Sequence, residues 1–121
     1  MHVRRGDYVT YGFSLPYSYY HKILAELNFR RLHIVGVLDQ NTKKEFLQYK
    51  PIYYGIDPIK DYKIMLAAST VIMSNSTFCW WASWFSDAHK IYFPKPKTGM
   101  FSDCHPHQKL DVSENRYQYV E

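Results

Sequence analysis

TVIMSNSTFCWWASWF, residues 70–85, carries the reading of the fold. Thr70 to Met73 form a short apolar run of strand length, and Ser74-Asn75-Ser76-Thr77 supplies the small polar residues that open a helix. Trp80, Trp81, Trp84 and Phe85 then recur at helical spacing. A strand feeding directly into a helix is the unit of a parallel sheet, because parallel strands need a crossover connection.

The same unit recurs on either side. HVRRGDY at residues 2–8 opens a stretch, His2 to Val9, expected to be a strand that ends in a turn around Gly6-Asp7. Tyr17, Tyr20, Ile23, Leu24 and Leu27 follow at helical spacing, with Pro16 suited to the first turn. Leu32 to Leu38 is an apolar, β-branched run bounded by Asp39, the signature of a buried strand. Thr42 and Glu45 have capping-box spacing ahead of Phe46 and Leu47. Pro51 to Gly55 predicts a third strand. Asp57-Pro58 predicts the start of a helix that buries Ile59, Tyr62, Met65 and Leu66. Lys90 to Phe93 predicts a fifth strand before Pro94.

This alternation predicts an α/β fold, a Rossmann-like doubly wound parallel sheet with helices on both faces and right-handed crossovers. The predicted organisation is a nucleotide-sugar-binding domain over residues 1–94, followed by an irregular C-terminal tail over 95–121 that is rich in Pro, Lys and His near its start. Sheets of this kind bind ligands beyond the carboxyl ends of their strands, so function is sought at residues 4–8, 39–40, 56–57 and 74–77.

Composition narrows the classes. The chain has 121 residues, 46% hydrophobic and 21% charged, a balance that fits one globular domain. The formal charge of +4 permits a phosphate-bearing partner without demanding nucleic acid. Aromatic residues at 18% supply core mass and flat faces for stacking. No apolar stretch is long enough for a transmembrane helix, and Met1 to Arg5 is followed by no apolar stretch of the signal-peptide kind. Cys79 and Cys104 have no CxxC partner, which argues against a disulfide framework or a zinc site and favours a cytoplasmic setting. A domain that opens inside an apparent strand is expected to be part of something longer.

Along a strand, alternate side chains share a face, so His2 and Arg4 point together while Val3 and Arg5 point oppositely. A guanidinium near a sheet end needs an anion, and arginine matches phosphate bidentately. Arg4 is therefore the candidate phosphate ligand, with His2 beside it for a base edge or phosphate oxygen, and Arg5 ties the fold to a carboxylate. The competing reading makes both arginines solvated charges on an edge strand. Asn75, Ser76 and Thr77 lie where helix N–H groups and the positive end of the helix dipole face the ligand side. Simple capping by Ser76 or Thr77 accounts for the same residues. Neither a GxGxxG fingerprint nor a P-loop is present.

Asp61, in the first turn of its helix, offers two acceptors side by side for a guanine edge, although a carboxylate at a helix N-terminus is favourable for its own sake. The Asn75-Ser76-Thr77 sequon is discounted because the turn is wedged against a buried strand. The tryptophans are expected to be helix core rather than a sugar platform. Cys104-His105-Pro106-His107 lacks a second ligand pair, so no metal site is assigned.

Taken together, HVRRGDY at 2–8 and SNSTFCWWASWF at 74–85 resemble glycosyltransferase family 11, the α-1,2-fucosyltransferases. Asp61 to Met65 resembles that family's stretch ahead of its NSTFSWW motif, and the likeness runs from residue 2 to about 94. It implies the C-terminal, donor-binding half of a GT-B enzyme. Such an enzyme moves L-fucose from GDP-fucose to the 2-hydroxyl of a galactoside with inversion and with no required metal or cofactor. It implies donor contacts from His2, Arg4, Asp61, Asn75, Ser76 and Thr77, with Arg4 on the diphosphate.

Cys79 stands where the family usually has Ser, the tail has no clear counterpart, and the half that binds the glycan acceptor has none here either. Peripheral membrane association of a parent enzyme is compatible with this picture. Asp7, turned by Gly6, is the nearest candidate base for the acceptor hydroxyl, beside a purely structural role at the turn. Two other readings compete: a non-catalytic nucleotide- or sugar-binding module, and a basic aromatic RNA-binding domain, the latter disfavoured because the aromatics lie at helical core spacing.

Overall fold

Six parallel strands and the helices between them alternate along the chain in the computed structural model, which describes residues 1–95, 110 and 112–121. The strands are β1 (His2–Arg4), β2 (His33–Val37), β3 (Ile52–Tyr53), β4 (Thr70–Ile72), β5 (Lys90–Pro94) and β6 (Tyr117–Val120). The helices are α1 (Asp7–Thr10), α2 (Tyr17–Glu26), α3 (Gln40–Glu45), α4 (Pro58–Leu66) and α5 (Thr77–Phe85), with a 3₁₀ turn at Leu47–Tyr49.

Two three-stranded sheets result, in the orders β1-β2-β3 and β4-β5-β6. His2 pairs with Val35, Thr70 with Lys90, and Ile91 with Tyr117. The sheets share one layer even though their ladders are separate. Alternate strand residues enter opposite cores: Ile34, Ile72 and Tyr92 join Val3 under α2, whereas Val35, Val71, Met73, Ile91 and Phe93 pack on the other face. Tyr20, Ile23, Leu24 and Phe46 close the first core, and Met65, Cys79 and Ala82 close the second. Helices thus cover both faces of a parallel layer, which is the predicted α/β, Rossmann-like arrangement. Among the described residues, no helix is long and apolar enough to cross a membrane.

Local chemistry explains the element boundaries. Asp57 caps α4, its carboxylate accepting from the amides of Ile59 and Lys60, and Pro58 takes the first position, where a missing N–H costs nothing. The cap of α3 is Asp39, which accepts from the Thr42 amide, so Thr42 is the residue that is capped and not the capping residue. The stretch after Arg4 departs from the expected strand. Gly6, at φ +62, reverses the chain into the four-residue α1.

Three further expectations are corrected. Ile59 is 68% exposed, because the inward face of α4 runs through Asp61 and Met65 and a residue two positions from Asp61 points away from it. Of the α5 aromatics expected in the core, Trp80 packs against it, but Trp81, Trp84 and Phe85 do not. The helix turns Cys79, Ala82 and Ser83 inward, small residues that let it lie close on the sheet, and leaves Trp81, Trp84 and Phe85 exposed. The C-terminal segment is not irregular throughout, since Tyr117–Val120 returns as β6 and pairs with β5 over four residues. Cys104-His105-Pro106-His107 lies outside the described residues.

Candidate functional site

The carboxyl ends of β1 and β4 meet across the gap between the two sheets. His2 points from β1 toward α5, where its Nδ1 lies 2.7 Å from Ser74 Oγ and its ring packs against Phe78. Burial first, then the positive charges of the Met1 amino group and Arg4, push the His2 pKa down to about 3. The ring is therefore neutral near pH 7, and it serves as a strut between the sheets instead of presenting itself to a cleft. Val3 and Arg5 take the opposite face, as strand alternation requires. Arg5 Nε donates to Asp39 Oδ2 at 3.2 Å, and its guanidinium lies over the Tyr17 ring. Burial alone would raise the Asp39 pKa, but hydrogen bonds from Thr42 and Arg5 outweigh it and hold the carboxyl below its usual range. Arg5 is thus the fold-tying arginine that the sequence indicates.

Arg4 stands at the mouth. Its Nη2 donates to both oxygens of Asp7, at 2.9 and 3.3 Å, and its guanidinium lies over Tyr8. Its Nε is buried and has no partner among the described residues. The loop that follows is tied back by Ser14 Oγ, which donates to the Arg4 carbonyl at 2.7 Å.

The β4–α5 turn joins this loop. Asn75 Nδ2 donates to the Phe13 carbonyl at 3.2 Å, one residue before Ser14. Ser74, Asn75 and Ser76 are all buried, and Ser76 occupies the cap position of α5 without a side-chain cap bond. A helix of this kind leaves its first N–H groups without intrahelical partners. Thr77, half-buried, is its first residue. Beneath the turn, Cys79 Sγ lies 3.2 Å from the Ser74 carbonyl and 3.1 Å from that of Ser76. Burial pushes its thiol pKa up to about 12, so it remains a thiol and takes the donor role that a serine hydroxyl would have.

Asp61 sits apart from Arg4, under the ends of β2 and β3. Its oxygens accept from Gly36 N at 2.9 Å and Gly55 N at 3.1 Å. Both glycines have positive φ, and a Cβ on Gly36 would meet the Val3 carbonyl oxygen at 2.3 Å and His2 Nε2 at 2.9 Å. The structure accordingly pairs Arg4 with Asp7, ties Asn75 to Phe13 next to the Ser14 that bonds the Arg4 carbonyl, links His2 to Ser74, and commits the Asp61 carboxylate to backbone amides. Gly36 and the Phe13-Ser14 link were missed by sequence reasoning. A glycine inside a β-branched run was the available signal for the first.

A separate cleft of about 600 Å³ opens at the opposite, amino-terminal ends of the strands, with Met1, Leu27, Arg31, His33 and Thr70 in its walls. Among the described residues, no cluster of three or more His, Cys, Asp or Glu side chains is placed to hold a metal ion.

No protein-family model matches the chain, and no solved structure matches it. The chain is similar to the O-antigen biosynthesis glycosyltransferase WbnK of Escherichia coli, at 27% identity over an alignment 101 positions long that covers 71% of this chain and 33% of that protein. It thus spans about a third of that relative's length.

Proposed function

We propose that this chain is the donor-binding part of an inverting glycosyltransferase, and that its donor is GDP-fucose, with an α-1,2 linkage to a galactoside as the product. The observation that supports the reading is the set of hydrogen bonds tying the loop after β1, which carries Arg4, to the turn that opens α5. Asn75 reaches the loop at Phe13, the adjacent Ser14 holds the Arg4 carbonyl, and His2 bridges to Ser74 behind them. A partly exposed guanidinium and a helix N-terminus together would form a receptor for a diphosphate. The WbnK similarity supports the reaction class, and the HVRRGDY and SNSTFCWW motifs support fucose as the sugar.

In this mechanism the bond from the anomeric carbon to the donor's diphosphate oxygen breaks as the acceptor oxygen bonds to the opposite face and gives up its proton to water, and the sugar passes through an oxocarbenium-like state. Negative charge grows on the departing diphosphate. Arg4 and the α5 amides face that charge, and one well-placed donor of this type is worth about 3–4 kcal/mol in the transition state. The acceptor is read by regions of a parent enzyme outside this chain.

Calorimetric titration with GDP tests the reading. Arg4→Ala is expected to weaken binding at least tenfold relative to the unaltered chain, about 1.4 kcal/mol. Equal affinities would overturn it.

A further inference from the structure

Arg4 already holds an internal anion. Asp7 places both carboxylate oxygens against one nitrogen of the guanidinium, Nη2, at 2.9 and 3.3 Å. That leaves the pair one-sided. The buried Nε has no partner among the described residues, although an arginine fork offers Nε and a terminal nitrogen as a matched pair for two oxygens of one anion. Asp7 also stands on an element that can give way. α1 is four residues long with no buried residue, Gly6 at φ +62 precedes it, and Tyr8 lies over the guanidinium. Moving this one turn takes the carboxylate off Nη2.

The geometry points to Asp7 as a specificity-determining residue: its carboxylate is a built-in competitor for Arg4 that selects diphosphate donors over donors with a single phosphodiester. This rests on the donor-site reading above. The argument is one of charge exchange. A phosphodiester carries one negative charge, the same as the carboxylate it must displace, so the exchange brings little Coulombic gain. A diphosphate diester carries two charges. One replaces Asp7 on Arg4, and the other faces the amino end of α5, whose preceding Asn75 is tied to Phe13 next to the Ser14 that bonds the Arg4 carbonyl. Only the second ligand gains from the exchange. The freed carboxylate, already half in solvent, rehydrates.

The experiment measures affinities of GDP-fucose and of the methyl ester of GMP, which share a nucleoside and differ in charge, by calorimetry at low salt. The unaltered chain is expected to favour GDP-fucose at least tenfold. Asp7→Asn, which removes the charge and keeps the shape, is expected to shrink that preference about tenfold, chiefly through tighter binding of the methyl ester. Asp7→Ala is expected to do the same.

An unchanged preference, or equal weakening of both ligands, would show that Asp7 only holds Arg4 in place and would overturn the inference. Arg4→Ala separates the two levels. If it weakens GDP-fucose while the Asp7 variants leave the preference unmoved, the selectivity idea alone fails. If Arg4→Ala has no effect, or no variant binds either ligand, the donor-site reading fails with it.

Discussion

The loop after β1 and the turn after β4 occupy the same rim and are built in opposite ways. Residues 4–13 are charged and open: Arg4 and Asp7 are partly in solvent, and Val9, Tyr11 and Phe13 are exposed. Residues 74–76 are uncharged and buried, held by His2 from one side and by the Cys79 thiol from below. One side of the rim can rearrange around a ligand at little cost, and the other cannot move without breaking buried hydrogen bonds. A receptor for a charged group gains from this pairing, because the buried half fixes where the ligand must sit while the exposed half supplies the charge.

Four stability measurements by urea denaturation would break or sharpen the contrast, beginning with the largest effect. Gly36→Ala is expected to cost more than about 3 kcal/mol, since its φ of +110 is strained for any side chain and the added Cβ would collide with the Val3 backbone behind the strut. A cost below about 1 kcal/mol would mean that the backbone behind β1 gives way easily. Ser74→Ala removes the partner of His2 Nδ1 and is expected to cost about 1–3 kcal/mol.

The third measurement is a pH profile. His2 has its folded pKa pushed down to about 3 from 6.5, so between those values the unfolded chain binds the proton and the folded chain does not. The contribution is complete above pH 6.5 and is lost as pH falls toward 3, with a slope approaching about 1.4 kcal/mol per pH unit. His2→Asn should flatten that part of the profile, and an unchanged slope would refute the buried neutral strut. The smallest effect belongs to the open side. Asp7→Asn is expected to shift stability by less than about 0.5 kcal/mol, as exposed ion pairs do. A loss equal to that of Ser74→Ala would erase the distinction between the two halves of the rim.

Legibility in the sequence followed the range of the forces involved. The Asp57-Pro58 start of α4 and the strand runs at 33–37 and 70–72 were readable because capping and alternation are local. Arg5's carboxylate partner was foreseen as a type and not as Asp39, since its location 34 residues away is a matter of folding. The α5 aromatics misled, because helical spacing says that residues share a face and not which face is buried. Here the small residues Cys79, Ala82 and Ser83 won the inward side. β6 was missed because pairing with β5 depends on the edge that β5 exposes, which no local pattern reports.

By itself the order of residues determined the α/β alternation and the residue types at the strand ends, since backbone preference, capping and side-chain period act over a few positions. The tertiary structure alone decided which of these residues meet. His2 reached Ser74 and Asn75 reached Phe13 across more than sixty positions, Arg4 was left with an unused N–H, and Asp61 was drawn away from the rim onto Gly36 and Gly55. Buried polar groups must find partners wherever the fold offers them, and that requirement is settled only once the sheets have come together.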